Sequence, residues 1–475
     1  MQPNWLMQRS YLTPNRIGLS FGEETWTFVQ LAERAAQIAG QLASCGFQAG
    51  DRVALLGPST PELIHVIHAC MHLQLEMVFL NLRLAPSELT YQIADAQVTG
   101  ILVADSETTK IQAHAHTTFS ALFSQPINEV SLAPEWDEQQ TISIMYTSGT
   151  TGFPKGVRQT VQNHSSSAIS SVLNMGLSER DVWLCIVPIF HISGFSILMR
   201  SLLYGMPVRL YEKFDAAICA EEIACGTVTR MSAVSAMLER VLSYMEAHGL
   251  TAHENFSGIL LGGGPVPVDY LKRAARLNLQ VAQTYGMTET SSQTATLSNE
   301  DAMRKLGSAG KPLFFNQIKI DGANAACVEG EICIKGPHVT PGYIGQFSKL
   351  AALEDGWLKT GDIGYLDEEG YLYVIDRRSD LIISGGENIY PAEIENVLLA
   401  HPLIQEAGVC GVEDEVWGQV PAAFIVIKAP ITAEKVIEFC KMHLAHYKIP
   451  KTIKFVEELP RNGSNKLLRR KLRQL

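Results

Sequence analysis

The feature that most restricts how this chain can fold is a repeated alternation of short apolar runs with longer helical segments, beginning near Thr27. Thr27 fits an N-cap for FVQLAERAAQIAGQLASCG, which closes at Gly46, and Asp51 to Leu56 follows as a strand. Thr60 and Pro61 place a cap before proline at the first helical position. Met77 to Leu82 again reads as a strand, and APSELTYQIADA with GILVAD repeats the unit. This alternation predicts an α/β fold with parallel-rich sheets covered by helices on both faces. At 475 residues the chain is too long for one ordinary core, so at least two domains are expected.

Charge locates the division. Residues 377–475 hold 14 of the 38 basic and 12 of the 49 acidic side chains, so this segment is slightly basic and residues 1–376 carry the acidity. The tail contains its own helix patterns, PAEIENVLLA and TAEKVIEFCKMHLAHY, and its own strands, PAAFIVI and TIKFVEEL. The expected organisation is a large domain over 1–376 and a small mobile α+β lid over 377–475, with a hinge near 376–380. A net charge of −11 argues against nucleic acid as the main partner. The nine cysteines include no CxxC pair, which fits reduced, buried thiols in a cytoplasmic protein better than a disulfide or zinc framework. No stretch approaches 18 uninterrupted apolar residues, so no membrane span is expected. His65, His68 and His72 share one face of the second helix. They are read as a packed or solvated face and not a metal site, because metal sites usually draw ligands from more than one element.

The segment from Ile142 to Val157, ISIMYTSGTTGFPKGV, carries the chemistry. An alternating strand runs into Thr147, Ser148, Gly149, Thr150, Thr151 and Gly152, whose hydroxyls and backbone N–H groups suit phosphate oxygens, and Lys155 adds a cation. The common nucleoside-triphosphate loop is excluded, because Lys155 follows Pro154 and precedes Gly156. SGTTGFPKG resembles the signature of the adenylate-forming acyl-CoA synthetase and luciferase superfamily. Matching segments recur in family order: PIFHISG from Pro188, LLGGGP from Leu260, QTYGMTET from Gln283, KTGD from Lys359, DRRSDLIISGGENIYPAEIE from Asp376, and PRNGSNK from Pro460.

The resemblance implies ATP, Mg²⁺ and coenzyme A as reactants, with a small carboxylic acid as substrate. It implies Glu289 as the Mg²⁺ ligand, Thr288 as a donor to the α-phosphate, Tyr285 against adenine, and Gly262, Gly263 and Gly264 close to the base. Asp362 would take the ribose diol, helped by Arg377. Lys466 resembles the family's mobile catalytic lysine, which bridges the substrate carboxylate and the α-phosphate. His191 occupies the gate position beside the acyl pocket, with Ser193, Gly194, Ser232, Gly263 and Ser292 as further pocket candidates. Gly385, Gly386 and Glu387 would line the pantetheine path after the small domain rotates. Ser379 stands where the family usually pivots on Asp or Lys. Arg469, Arg470, Lys471 and Arg473 read as the exposed face of a terminal helix.

No acidic residue occurs in PIFHISGFSIL, which disfavours an amino-acid substrate. The opening PNWLMQRSYLTPNRI, LGSAGKPLF, the unbroken SDLIISGGENIYPAEIE and PRNGSNKLL most closely resemble acyl-CoA synthetases for an acid with a flat ring and two carboxylates. Such an acid calls for apolar walls and a few polar groups, here expected to be hydroxyls, backbone amides and water around the ring carboxylate. A synthetase for another aromatic or fatty acid, a luciferase-like oxidase and a silent adenylate-binding protein share the motifs. Whether the chain forms a homo-oligomer is left open.

Overall fold

The computed structural model describes residues 1–147, 153–263, 266, 268–377, 381–460 and 469–474; within these the side chains at 268, 375–377, 392, 396 and 470 fall outside the description. Two sheets carry the alternating units. In the first, Thr141–Thr147, Glu76–Phe79, Arg52–Leu56, Gly100–Val103 and Thr117–Thr118 run parallel, and Lys155–Thr160 adds an antiparallel edge. In the nine-stranded second sheet the parallel strands run Val281–Met287, Gly258–Leu261, Arg230–Ala233, Trp183–Cys185, Val208–Leu210 and Ile17–Phe21. Central strands such as Arg52–Leu56 and Gly258–Leu261 are buried along nearly their whole length, as parallel strands covered on both faces must be.

The helix boundaries follow local chemistry. Helix Phe28–Ser44 begins under a reciprocal capping box between Thr27 and Gln30, and Gly46, at φ 91°, turns the chain beyond it. Helix Pro61–His72 starts with proline in its first turn and buries His65, His68 and His72. Burial lowers the three imidazoles to about 4, 3 and 4, so they are neutral at pH 7. His72 Nδ1 meets Asn4 Nδ2 at 3.0 Å, and His65 packs edge-on against Trp26. The cysteine expectation needs correcting in part: Cys45, Cys225 and Cys327 are exposed, and the other six are buried.

One unit was not anticipated from the alternation. Gln317–Ile320, Gly330–Lys335, Leu353–Glu354, Trp357–Leu366 and Leu372–Arg377 form an antiparallel five-stranded sheet, which places Asp362 mid-strand. A last sheet is built wholly from the C-terminal segment. Ile404–Asp414 and Gly418–Ile427 form its long hairpin, flanked by Ile382–Ser384 and Thr452–Phe455, with Glu387–Ile389 at the edge. Helices Pro391–Leu399 and Ala433–His443 bury Ile394, Leu398 and Val436 against Ile382, Val409 and Ile425 of that sheet. Terminal helix Arg469–Leu472 differs from expectation at its first residue: Arg469 is not simply exposed, since its guanidinium forks onto Glu395 at 3.0 and 2.6 Å. Among the described residues no helix is long and apolar enough to cross a membrane.

Candidate active site

A cavity of about 870 Å³ opens where the four larger sheets converge. One end, where the sequence places the phosphates, is built on the hairpin from Val281–Met287 to Ser292–Thr296. Strand parity decides which side chains reach the space: Thr284 and Gly286 face the cavity, whereas Tyr285 points into the core below. Tyr285 therefore does not line the wall as expected for a residue lying against adenine; its hydroxyl donates to Asp362 Oδ2 at 2.7 Å. It braces that carboxylate from beneath. A Cβ at position 286 would fall 1.8 Å from Ser292 O, so the hairpin closes only with glycine there. Ser291 and Ser292 follow at φ 49° and 111°, values that non-glycine residues seldom adopt. That tight return presents Thr288 and Glu289 together on the cavity wall.

Lys155 and Thr147 reach the same end from the paired strands Thr141–Thr147 and Lys155–Thr160. The Lys155 ammonium lies 5.4 Å from the ring centres of both Tyr343 and Phe347. Burial lowers its pKa and the charge of Glu289 opposes that shift. Asp362, 5% exposed, and Gly262 and Gly263 complete this region. Cation, hydroxyl and two carboxylates thus surround a space suited to a metal-bound nucleotide.

The other end is walled by Phe79, Val187, Phe190, Met237 and Leu260, with His191, Ser193, Ser232 and Ser292 among its polar groups. Gly194 does not line it: a Cβ there would sit 2.3 Å from Pro188 O, so this glycine serves the packing of the helix start. Sequence reasoning missed Arg200. Its side chain lines the cavity at 1% exposure, between the Trp183 ring, 5.1 Å away, and Ser292 Oγ and Gln293 Oε1, which accept from Nη2 at 3.1 and 3.0 Å. Its Nε and Nη1 make no hydrogen bond, and no carboxylate pairs with it among the described residues. The available signal was a lone cation in the otherwise apolar helix ISGFSILMRSLLY.

The C-terminal sheet closes the cavity. Gly385 and Gly386, at φ 55° and 86°, turn the hairpin that brings Gly386 against Val234, where even a Cβ would stand 3.2 Å from a methyl. Glu387, just beyond, is buried and ion-pairs with Arg83 Nη1, and its Oε2 lies 3.6 Å from His191 Nε2. Burial would raise its pKa, but His191 and Arg83 outweigh that and hold it low. Lys448, 4% exposed, donates to Glu88 Oε1 of the large body at 2.6 Å and to Glu393 Oε1 at 2.7 Å. Burial pushes Glu393 up to about 7, against the pull of Lys448.

A raised carboxyl pKa means that folding takes up a proton between the ordinary glutamate value and about pH 7, so stability falls as pH rises through that window. Glu393→Gln lacks this term. Its melting temperature relative to wild type is expected to be higher at pH 8 than at pH 5. A constant difference across that range would contradict the burial argument.

Thr147, Lys155, His191, Ser193, Ser232, Gly262, Gly263, Thr288, Glu289, Ser292, Asp362, Gly385, Gly386 and Glu387 therefore share one cavity. Ser148, Gly149, Thr150, Thr151, Gly152, Gly264, Ser379 and Lys466 lie outside the described residues, as does the side chain of Arg377.

Residues 7–344 match the AMP-binding enzyme family and residues 393–466 match the AMP-binding enzyme C-terminal domain. The chain belongs to the AMP-binding enzyme family and is a ligase of the acyl-CoA synthetase type. It is 49% identical over 480 residues to the 2-succinylbenzoate–CoA ligase of Geobacillus sp. (strain WCH70), covering 100% of this chain and 97% of that protein. The o-succinylbenzoate CoA synthetase of Bacillus subtilis, as a double mutant bound with its product analogue OSB-NCoA, superposes with a TM-score of 0.96 at 46% identity, covering 100% and 98% of the two chains. Its complexes with the acyl-adenylate OSB-AMP and with ATP and magnesium ion give 0.78 and 0.77 at 45% identity, covering 99% of this chain and 98% and 99% of the other. Identity is nearly constant across the three, so the gap in TM-score reflects arrangement: this chain has the form of the product-analogue complex.

Proposed function

We propose that this chain joins 2-succinylbenzoate to coenzyme A through an acyl-adenylate, releasing pyrophosphate and AMP, a step of menaquinone biosynthesis, as its likeness to 2-succinylbenzoate–CoA ligases supports. The observation that carries the substrate reading is Arg200, a buried guanidinium in the acyl wall with donors to spare and no carboxylate partner among the described residues. A dicarboxylic acid supplies what that site lacks. One carboxylate reaches the phosphate end and the ring carboxylate meets Arg200, a charged partner in place of the hydroxyls, amides and water expected from sequence.

In the first step an oxygen of the aliphatic carboxylate attacks the α-phosphorus of ATP, and pyrophosphate leaves. Thr288 donates to the α-phosphate, Lys155 and the loop at 147–152 hold phosphate oxygens, and Asp362, fixed by Tyr285, takes the ribose diol. Glu289 would hold Mg²⁺, which supplies charge neutralisation on the phosphates. Lys466 is assigned the bridge between substrate and α-phosphate. In the second step the thiolate sulfur of coenzyme A attacks the acyl carbon and AMP leaves. The turn at Gly385–Gly386 admits the thin pantetheine arm, while Glu387 holds His191 and Arg83 aside. We place the boundary at 376–380, with Ser379 as pivot, residues 1–376 as body and 377–475 as lid, and the protein in the cytoplasm.

The test is pyrophosphate release by the purified protein with coenzyme A over a panel of acids: 2-succinylbenzoate, 4-oxo-4-phenylbutanoate, benzoate and fatty acids. Preferred use of 2-succinylbenzoate is expected. Rapid use of a fatty acid, with none of 2-succinylbenzoate, would overturn the substrate and leave the class standing.

A further inference from the structure

Below the phosphate end lies a chain of hydrogen bonds among groups that touch no reactant in the mechanism above. Ser143 and Gln159 face each other across the antiparallel pair Thr141–Thr147 and Lys155–Thr160, and both are 0% exposed. Gln159 Nε2 donates to Thr288 O at 2.8 Å, Ser143 Oγ donates to Gln159 Oε1 at 2.6 Å, and Ser143 Oγ contacts His164 Nε2 at 2.8 Å.

The direction of this chain is determined by its end. Thr288 O can only accept, so the Gln159 atom on it is the amide nitrogen and the other is the oxygen. The oxygen consumes the Ser143 hydroxyl proton, so Ser143 accepts from His164, which must carry its proton on Nε2. Burial lowers His164 to about 3, consistent with a neutral ring bearing that single proton. Every step has one donor and one acceptor, so the Gln159 amide cannot flip without leaving two buried groups facing like partners.

The next carbonyl is held from the same side. Thr340 N donates to Glu289 O at 2.8 Å, and the Thr340 hydroxyl donates to Arg158 O. Two successive residues of strand Lys155–Thr160 thereby secure two successive carbonyls of the turn that presents Thr288 and Glu289, Gln159 directly and Arg158 through Thr340. The strand begins at Lys155. One rigid element sets the cation, the α-phosphate donor and the metal-holding carboxylate relative to one another.

We infer that Gln159 is a positioning residue for the adenylation half-reaction, holding the Thr288–Glu289 turn in register with Lys155 through an amide oriented by Ser143 and His164. This rests on the adenylate-forming reading above. Its effect is confined to the step in which phosphate geometry changes, because a misplacement near 1 Å costs an enzyme up to about 100-fold in rate. Thioester formation from a ready-made adenylate makes no new demand on that register.

The test uses the full chain with Gln159→Met, which keeps length and volume but can neither donate to Thr288 O nor accept a normal hydrogen bond from Ser143. Adenylation, read as pyrophosphate release in single turnover, is expected to slow by about 10- to 100-fold. The KM for the acid should stay within about twofold, and thioester formation from supplied acyl-adenylate within about threefold. Ser143→Ala, which frees the amide without removing it, is expected to show the same selective pattern at about 3- to 10-fold. It keeps the inference testable if the methionine variant folds poorly. Equal losses in both half-reactions, or no loss in adenylation, overturn the inference while the wild type still forms adenylate. A wild type that forms no adenylate from 2-succinylbenzoate or any other acid overturns the reading beneath it and the inference with it.

Discussion

Replacing Arg200 by Met is expected to lower kcat/KM for 2-succinylbenzoate by about 100-fold, or about 3 kcal/mol, while turnover of 4-oxo-4-phenylbutanoate changes by less than about threefold. The asymmetry follows from what the guanidinium lacks. Among the described residues its neighbours are Ser292, Gln293, the Tyr204 hydroxyl and the face of Trp183, none of them a carboxylate, and Nε and Nη1 lack a well-formed hydrogen bond. A carboxylate entering this wall gains charge-assisted hydrogen bonds in a water-poor space, and the analogue without the ring carboxylate gains none. Methionine keeps the volume and the contact with Trp183. Arg200→Lys is expected to restore only part of the loss, because an ammonium cannot reproduce the planar fork. Comparable use of both acids by the wild type would remove Arg200 as the reader of the ring carboxylate.

What could be read from the sequence divides by range. The helix at Phe28–Ser44 was legible because its cap, apolar stripe and closing glycine lie within twenty residues, and the central strands because burial on both faces makes them continuously apolar. The motifs were legible because the turn at Gly286 to Ser292 tolerates so few residues. The antiparallel sheet around Asp362 was not. Strands such as Gln317–Ile320 and Trp357–Leu366 keep polar or partly exposed positions along their length, so their apolar signal is weak. Tyr285 was assigned to the right region and the wrong side, since the motif names the residue while strand parity aims its ring. Arg200 and Lys448 were missed for a common reason. A buried cation is recognised by what surrounds it, and the partners of Lys448 stand 360 and 55 positions away in the chain.

Lys448 also bears on the second large effect, a reciprocal pair of variants. Lys466→Ala is expected to slow adenylation by about 100-fold or more and to leave thioester formation from supplied adenylate within about threefold, because the role proposed for this lysine is to offset charge that accumulates only at the α-phosphate. Lys448→Met should show the reverse, with thioester formation down about 10-fold and adenylation little changed. The structure explains why the second variant is selective. The arrangement seen here is the one matched by the product-analogue complex at a TM-score of 0.96, and in it Lys448 joins Glu88 of helix Pro86–Ala96 to Glu393 of helix Pro391–Leu399. Ala445 packs into the cluster around Leu84 and Leu89, and Ser87 donates to His443 O at 3.4 Å, so the same stretch docks on helix Pro86–Ala96 by both apolar and polar contacts. Removing the ammonium leaves two buried carboxylates facing each other, a cost expected only in the arrangement where Glu88 and Glu393 meet. The relative's complexes with the acyl-adenylate OSB-AMP and with ATP and magnesium ion match this chain less well, at 0.78 and 0.77, as expected if the contact is broken for the first step. Single-turnover rates for each half-reaction decide the matter. If Lys448→Met slowed both steps alike, the contact would be a plain stabiliser of the fold, and the ion cluster would have no part in separating the two half-reactions.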